Sequence, residues 1–350
     1  MAEQDPGSTP VAYPGVSYVM PVINDVLNVR AAVESILAQD YPGDAEVVVA
    51  VGPSIDGTDA LVHDLAARDA RVRVVANPGG STSAGLNIGI GQSRHPIVLR
   101  VDAHSQLPGG YTRTAVETLQ RTGADNVGGI MAATGQTDFE QAVALAYTTR
   151  VGLGGSAFHV GGDEGPVDTV YLGVFQRAAL ERVGGFDETV RRGQDWELNR
   201  RLRQTGGTVW FTPELRVTYR PRSTVLRLAR QMFATGLWRG ELARRFPGDS
   251  GLRYWVPPLM VLGVAFGALL GLVGIVTAGV AGVTWPLLGF IAPAAYLAFV
   301  AAATAACARG RGAVTGWFLL VLPCIHVAWG TGFVLGFLTL TKNLANQNGR

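Results

Sequence analysis

The chain has 350 residues, 48% of them hydrophobic and only 16% charged. That balance excludes intrinsic disorder and is too apolar for an ordinary soluble enzyme. The near-neutral total of 29 Lys and Arg against 27 Asp and Glu hides an asymmetry. Residues 251–350 hold five basic residues (Arg253, Arg309, Arg311, Lys342, Arg350) and no acid, so a mildly acidic globular part precedes an apolar one.

In chain order, residues 1–14 have neither the basic stretch nor the apolar core of a signal peptide, and are expected to be disordered. From 16 to 132, short apolar runs alternate with helical patterns. Val16–Val22, Glu46–Val51, Val72–Ala76 and Pro96–Val101 read as strands. Val26–Leu37, Asp59–Ala67, Ser83–Gly91 and Tyr111–Thr122 read as the helices between and after them. Continuous β-branched runs separated by helices predict a mostly parallel sheet covered on both faces. In such sheets, ligands bind at the carboxyl ends of the strands.

The stretch 216–245 has eight Arg and a single Glu. Leu226, Ala229, Phe233 and Leu237 fall on one helical face there, with Arg227, Arg230 and Arg239 elsewhere. This predicts an amphipathic interfacial helix within 222–250, its apolar face in the headgroup zone, the alternative being a soluble surface helix packed on the catalytic domain. Three runs within 255–341, at about 256–280, 285–308 and 314–340, reach the roughly 20 apolar residues that a membrane span needs. The link Arg309–Gly312 carries two Arg and the link Ala281–Thr284 has no charge. Positive-inside then puts Arg309, Arg311 and residues 1–250 in the cytoplasm and the tail 342–350 outside. His326, mid-span beside Pro323, is either a functional titratable group or a neutral imidazole bonded to a neighbouring helix. Cys307 and Cys324 lie in apolar runs with no metal-ligand spacing, which argues against a disulfide scaffold or a zinc module.

The residues after the strands carry the chemistry. They are Pro21-Val22-Ile23-Asn24-Asp25, Ser54-Ile55-Asp56-Gly57-Thr58-Asp59, Ala84-Gly85-Leu86-Asn87 and Asp102-Ala103-His104. Each alone is weak: an Asp there is often only a helix cap, and Asp56-Gly57 suits a plain turn. No phosphate-loop lysine and no G-x-G-x-x-G follows a strand, so those nucleotide-binding classes are excluded.

In this order and spacing, these motifs resemble glycosyltransferase family 2, with the GT-A fold. So do LGVFQRAALERVGGFDE and QDWELNRRL downstream. Asp-Ala-His, Gly-Pro-Val-Asp-Thr-Val-Tyr-Leu-Gly and the apolar C-terminal third look most like succinoglycan-type bacterial exopolysaccharide glycosyltransferases. The resemblance implies a Rossmann-like nucleotide-sugar-binding domain over 15–221. It implies donor binding by Pro21, Asn24, Asp25, Asp56, Asn87 and Asp102. Asp102 and His104 would hold Mg²⁺ or Mn²⁺ against the departing diphosphate. His104 read alone is equally a loop histidine bonded to the protein.

By the same resemblance Asp195 is the general base, although it also suits a helix N-cap. Gln194, standing where the family usually has Glu, and Trp196 lie on the acceptor side. Asp168 orients acceptor or donor sugar, or is a buried structural aspartate. Asp187 and Glu188 are expected to hold the turn in GGFDE.

Two departures matter. The family commonly places one or two Asp just before a Gly-Ser turn, where they contact the nucleotide base; those positions read Val51 and Gly52 here, so base recognition must use something else, such as Asp25 or backbone groups. The Gln-x-x-Arg-Trp motif of processive relatives is out of register at Gln231, which argues for adding one sugar. The expected partners are a UDP- or GDP-sugar, a lipid-linked saccharide or polyprenyl-phosphate acceptor and the membrane, with no nucleic acid. The competing reading is a catalytically impaired GT-A membrane scaffold.

Overall fold

The computed structural model describes residues 13–339. The tail 342–350 and most of the segment 1–14 lie outside the described residues. The described chain runs β1 (Val16–Val22), α1 (Val29–Leu37), β2 (Ala45–Val51), α2 (Thr58–Arg68), β3 (Val72–Ala76), α3 (Thr82–Gln92), β4 (Ile97–Arg100) and α4 (Tyr111–Thr122). It continues with β5 (Asn126–Ala133), α5 (Asp138–Tyr147), α6 (Ala157–Val160), β6 (Gly165–Pro166), β7 (Tyr171–Gln176), α7 (Arg177–Arg182), α8 (Gln194–Gln204) and β8 (Val209–Tyr219). It ends with α9 (Val225–Arg245), α10 (Val256–Ala281), α11 (Ile291–Ala308) and α12 (Ala313–Phe337).

The eight strands form one mixed sheet in the order β3-β2-β1-β4-β7-β5-β8-β6. The half β3-β2-β1-β4 is parallel, and β7 joins β4 and β5 antiparallel. Side chains alternate across the pleat. Tyr18 and Met20 face a core with Val33, Val62 and Ala115. Val19 faces the opposite core with Leu86, Leu180 and Leu198. Helices therefore cover both faces, as a parallel sheet of continuous apolar strands demands. α1 begins three residues later than the pattern predicts. The Val26 amide is held by Asp56 Oδ2 at 3.1 Å, and Asp25–Asn28 form a turn first.

The chain divides into two compact units, and the division is not a single cut near residue 221. Among the described residues, one unit comprises 13–131, Gly162–Val190 and Gln194–Thr218; the other comprises Ala132–Gly161, Arg191–Gly193 and 219–339. α5 belongs with the apolar helices because its Phe139 ring meets Trp317 of α12 edge-on at 5.4 Å.

Among the described residues, three helices of the second unit are long and apolar enough to cross a membrane: Leu252–Ala281, Trp285–Ala308 and Ala313–Phe337. α9 forms where expected, but its apolar stripe is split. Leu226 is exposed, whereas Leu237 is buried in a seam with α12. A Cβ on Gly236 or Gly240 would strike the Trp329 or Phe333 carbonyl, and one on Gly332 or Gly336 would strike the Phe233 or Leu237 carbonyl. Two Gly-x-x-x-Gly pairs thus let the helix backbones touch, the device of closely packed membrane helices. Arg239, expected on the outward side, is buried with its guanidinium 3.5 Å from the Tyr254 ring centre.

His326 is a bonded imidazole. Nε2 lies 2.7 Å from the Val151 carbonyl and Nδ1 3.2 Å from the Tyr296 hydroxyl. A carbonyl only accepts, so Nε2 carries the proton.

Candidate active site

The β1–α1 and β2–α2 turns are latched together at the carboxyl edge of the parallel strands. Asn24 adopts φ +49°, a conformation that asparagine tolerates through local hydrogen bonding. Its Oδ1 accepts from the Ile55 amide at 2.9 Å, and its amide donates to Ser54 Oγ at 3.1 Å. The Asp25 amide donates to Thr58 Oγ1. Asp56 accepts from the Thr58 hydroxyl and amide and from the Val26 amide. The Thr58 hydroxyl bond is the chief cause that holds its carboxyl below the usual range. Asn24 and Asp56 thus hold the two turns together. The Asp25 carboxylate takes the Asn28 side-chain amide at 2.6 Å and faces His104 Nδ1 at 3.5 Å.

The centre of the site is a residue that motif reading overlooked. Arg100, the last residue of β4, is 8% exposed, and its fork holds two carboxylates. Nε and Nη2 donate to Asp102 Oδ1 at 3.2 and 2.9 Å. Nη1 donates to Asp195 Oδ1. Burial opposes the guanidinium charge, but Asp102 and Asp195 together hold it protonated above its ordinary range. Burial pushes the Asp195 carboxyl up; Arg100 opposes that shift and the Asp102 charge adds to it. The signal was present in the sequence: a buried charge in the apolar run Ile97–Val101 must be paired, and residues i and i+2 of a strand share a face.

Asp195 lies inside the first turn of α8, which begins at Gln194. Its carboxylate meets Arg100 rather than a backbone amide, which distinguishes it from a helix cap. Gln194 is half-buried. Trp196, the next residue but one of α8, is buried. Asp168 is half-buried beside Thr169, whose hydroxyl accepts from Asn199 of α8 at 3.0 Å. Asn199 Oδ1 in turn accepts from Asn126 of β5 at 2.7 Å. This buried amide chain, also unforeseen, fixes α8 against the sheet.

Asn87 is committed to a loop. Its amide group donates to the Phe186 carbonyl and Glu188 Oε1, and its Oδ1 accepts from the Phe186 amide. Asp187 Oδ1 accepts from the Thr189 amide and hydroxyl, so Asp187 and Glu188 hold the GGFDE turn. Pro21 is partly buried in β1, and a Cβ on Gly85 would lie 3.0 Å from its ring.

A cavity of about 340 Å³ opens between the ends of β2 and β3, lined by Val51, Gly52, Pro53, Ser54, Asp59, Ala76, Asn77 and Pro78. A Cβ on Gly52 would lie 3.1 Å from Gly80 and 3.2 Å from Ile23, so a side chain there needs its neighbours to shift by a few tenths of an ångström. Asp59, on the first turn of α2, brings a carboxylate to the cavity wall instead.

Among the described residues, no three His, Cys, Asp or Glu side chains group as a metal cage. Asp102, with His104 two residues on, still fits Mg²⁺ or Mn²⁺. Such ions are commonly held by one or two carboxylates, with substrate phosphates and water completing the shell.

The family model described as Glycosyl transferase family 2 matches residues 17–184. The succinoglycan biosynthesis protein ExoA of Rhizobium meliloti (strain 1021) is 30% identical over 93% of this chain and 96% of its own length. The chain therefore belongs to glycosyltransferase family 2, and it carries three helices of membrane-spanning length. A second relative, the dolichyl N-acetyl-alpha-D-glucosaminyl phosphate 3-beta-D-2,3-diacetamido-2,3-dideoxy-beta-D-glucuronosyltransferase of Methanococcus voltae, is 23% identical over 66% of this chain and 74% of its own length. The mannosyltransferase PcManGT from Pyrobaculum calidifontis, solved with GDP-Man and Mn²⁺, superposes with a TM-score of 0.59. It shares 19% identity over 94% of this chain and 88% of its own, a likeness of fold.

Proposed function

We propose that the chain is a membrane-anchored inverting glycosyltransferase that moves one sugar from a UDP- or GDP-sugar to a lipid-linked saccharide or polyprenyl-phosphate acceptor. The reaction takes place at the cytoplasmic face, in cell-surface glycan synthesis. The observation that carries this is the Arg100 fork, which brings Asp102 and Asp195 to one place. The relatives' names supply the substrate class: one belongs to succinoglycan biosynthesis and one acts on a dolichyl-linked sugar.

In this reading the cavity at β2–β3 takes the nucleoside, with Asp59, Asn77 and backbone groups beside the base. Asp102 and His104 hold Mg²⁺ or Mn²⁺, which when bound neutralises charge on the departing diphosphate. Asp195 removes the acceptor hydroxyl proton. The acceptor oxygen bonds to the anomeric carbon as the bond from that carbon to the phosphate oxygen breaks. The nucleoside diphosphate leaves with the electron pair, and Asp195 ends with the proton. Asp168 and Gln194 flank the acceptor. The latch of Asn24 and Asp56 keeps the donor loops in place. The three apolar helices cross the membrane, with Arg309 and Arg311 on the cytoplasmic side.

The absence of a carboxylate at Val51 and Gly52 favours a second reading, a scaffold without turnover. One experiment separates the two. The purified full chain in detergent is offered UDP- and GDP-sugars with a polyprenyl-phosphate acceptor, and nucleoside diphosphate release and glycolipid are measured. Acceptor-dependent release that Asp102→Asn abolishes is expected. Binding without release from any donor would assign the scaffold role.

A further inference from the structure

Arg100 occupies the last position of β4, paired in register with Val19 of β1. A guanidinium there is costly to bury unless its donors are satisfied in good geometry. They are satisfied by carboxylates from two separate elements, Asp102 just past the same strand and Asp195 in the first turn of α8. The guanidinium is planar and its N–H groups point in fixed directions. Turning the plane to follow one carboxylate therefore turns it away from the other. A lysine has no such fork: its ammonium is a point charge on a flexible stem.

We propose that Arg100 is a positioning residue that couples the donor-side carboxylate to the acceptor-side carboxylate, so that loading of the cation on Asp102 tightens the hold on Asp195. This rests on the assignment of Asp102 to the metal and Asp195 to the acceptor. The coupling arises from competition, because the cation and Arg100 attract the same Asp102 carboxylate. When the cation draws that carboxylate, more of the Arg100 charge is left for Asp195, and the base is fixed once the donor is in place. Linkage makes the effect reciprocal: Asp195 draws Arg100 away from Asp102 and so favours the cation. Removing the Asp195 charge lets Arg100 settle on Asp102 and compete harder with the metal.

The test is a double-mutant cycle read by metal binding. The full chain in detergent is titrated with Mn²⁺ in the presence of UDP and, in parallel, GDP, and free Mn²⁺ is followed by its paramagnetic resonance signal. Wild type, Asp195→Asn, Arg100→Lys and the double variant are compared, with thermal melting to confirm that each is folded. Arg100→Lys keeps the charge, which guards against the collapse expected of a neutral substitution between two carboxylates. With Arg100 in place, Asp195→Asn should weaken Mn²⁺ binding by roughly three- to tenfold, within the range of coupled neighbours. Made on top of Arg100→Lys, the same substitution should change binding less than about twofold, because the fork that links the two sites is gone. Equal effects in both backgrounds, or none in either, overturn the coupling. Absence of Mn²⁺ binding by the wild type overturns it together with the metal assignment. Transfer rates measured on the same four proteins report separately on the base: a fully active Asp195→Asn removes that assignment even where the binding cycle shows coupling.

Discussion

Arg100 and Asp195 are joined by a guanidinium–carboxylate contact although 95 residues separate them in sequence. A strand end and a helix start are thereby tied at the point where sugar-transfer chemistry is expected. A carboxylate held this way stays in place for reaction and does not fold back to cap its own helix.

Asp195→Asn should therefore lower the transfer rate by about 10²–10⁴, the usual contribution of a general base, while shifting donor affinity only a few-fold. Asn still accepts from Arg100, and it serves a helix start about as well as Asp, so the fold should survive. Steady-state transfer with separate donor-binding titration checks this. Rates within a few-fold of wild type would hand the position to a structural role.

The acid limb of the rate profile should lie above the ordinary aspartate range of about 3.9. Asp195 is shifted up by burial, with Arg100 pulling against the shift and Asp102 reinforcing it. A base works ionised, so activity is present above that raised value and is lost as pH falls through it. A profile of kcat/KM against pH, with unfolding monitored alongside, gives the limb. A limb at or below the ordinary value would contradict the assignment.

Glu46 offers a prediction about stability. It is 5% exposed and accepts from Ser17 Oγ at 2.8 Å, the Arg94 amide at 2.6 Å and Arg73 Nη1 at 3.0 Å. Burial works against its charge, but these donors prevail and hold its carboxyl below the usual range. Its folded pKa lies under its unfolded one, so its contribution is complete above the unfolded value and is lost as pH falls toward the folded one. Glu46→Gln should cost about 1.5–3 kcal/mol, as for hydrogen bonds to a charged group. The loss should shrink in acid, which denaturant titrations at neutral and acid pH will show.

Gly240→Ala should lower the melting temperature in detergent, because the new methyl meets the Phe333 carbonyl. Overpacking of this kind costs about 1–3 kcal/mol. Gly263→Ala in α10, where nothing lies within 4 Å, is the control and should leave the melt unchanged. Equal melts for the two variants would mean that the α9–α12 seam is looser than described.

The parallel half of the sheet was legible because its strands are continuous β-branched runs. β3 (Val72–Ala76) and α4 (Tyr111–Thr122) fall at the predicted residues. Apolar runs of that kind do not mark the antiparallel strands. β8 extends from Val209 to Tyr219 with exposed Glu214 and Arg216 interrupting its apolar residues. In the site, motif order led to Asp102 and Asp195, because residue types after strands are local information. Their common partner was not legible, since the Arg100 contact is made between distant segments. Asn87, singled out by a family motif, has loop contacts that the motif did not reveal: its side-chain amide holds the Phe186 backbone. The stripe on α9 misled for a physical reason. A helical wheel ranks side chains by hydrophobicity and gives glycine little weight, whereas Gly236 and Gly240 form the contact.

That contact has a consequence for biosynthesis. α9 emerges from the ribosome before any of the three apolar helices, and its glycine face is matched by the last of them. Until α12 has been made, the face around Gly236 and Leu237 has no native cover, however completely the sheet has folded. A message truncated before Ala313 thus leaves the Gly236 and Gly240 face of α9 without the carbonyls of Trp329 and Phe333 that meet it. The seam between α9 and α12, unlike the sheet, therefore closes only when all three apolar helices have been made.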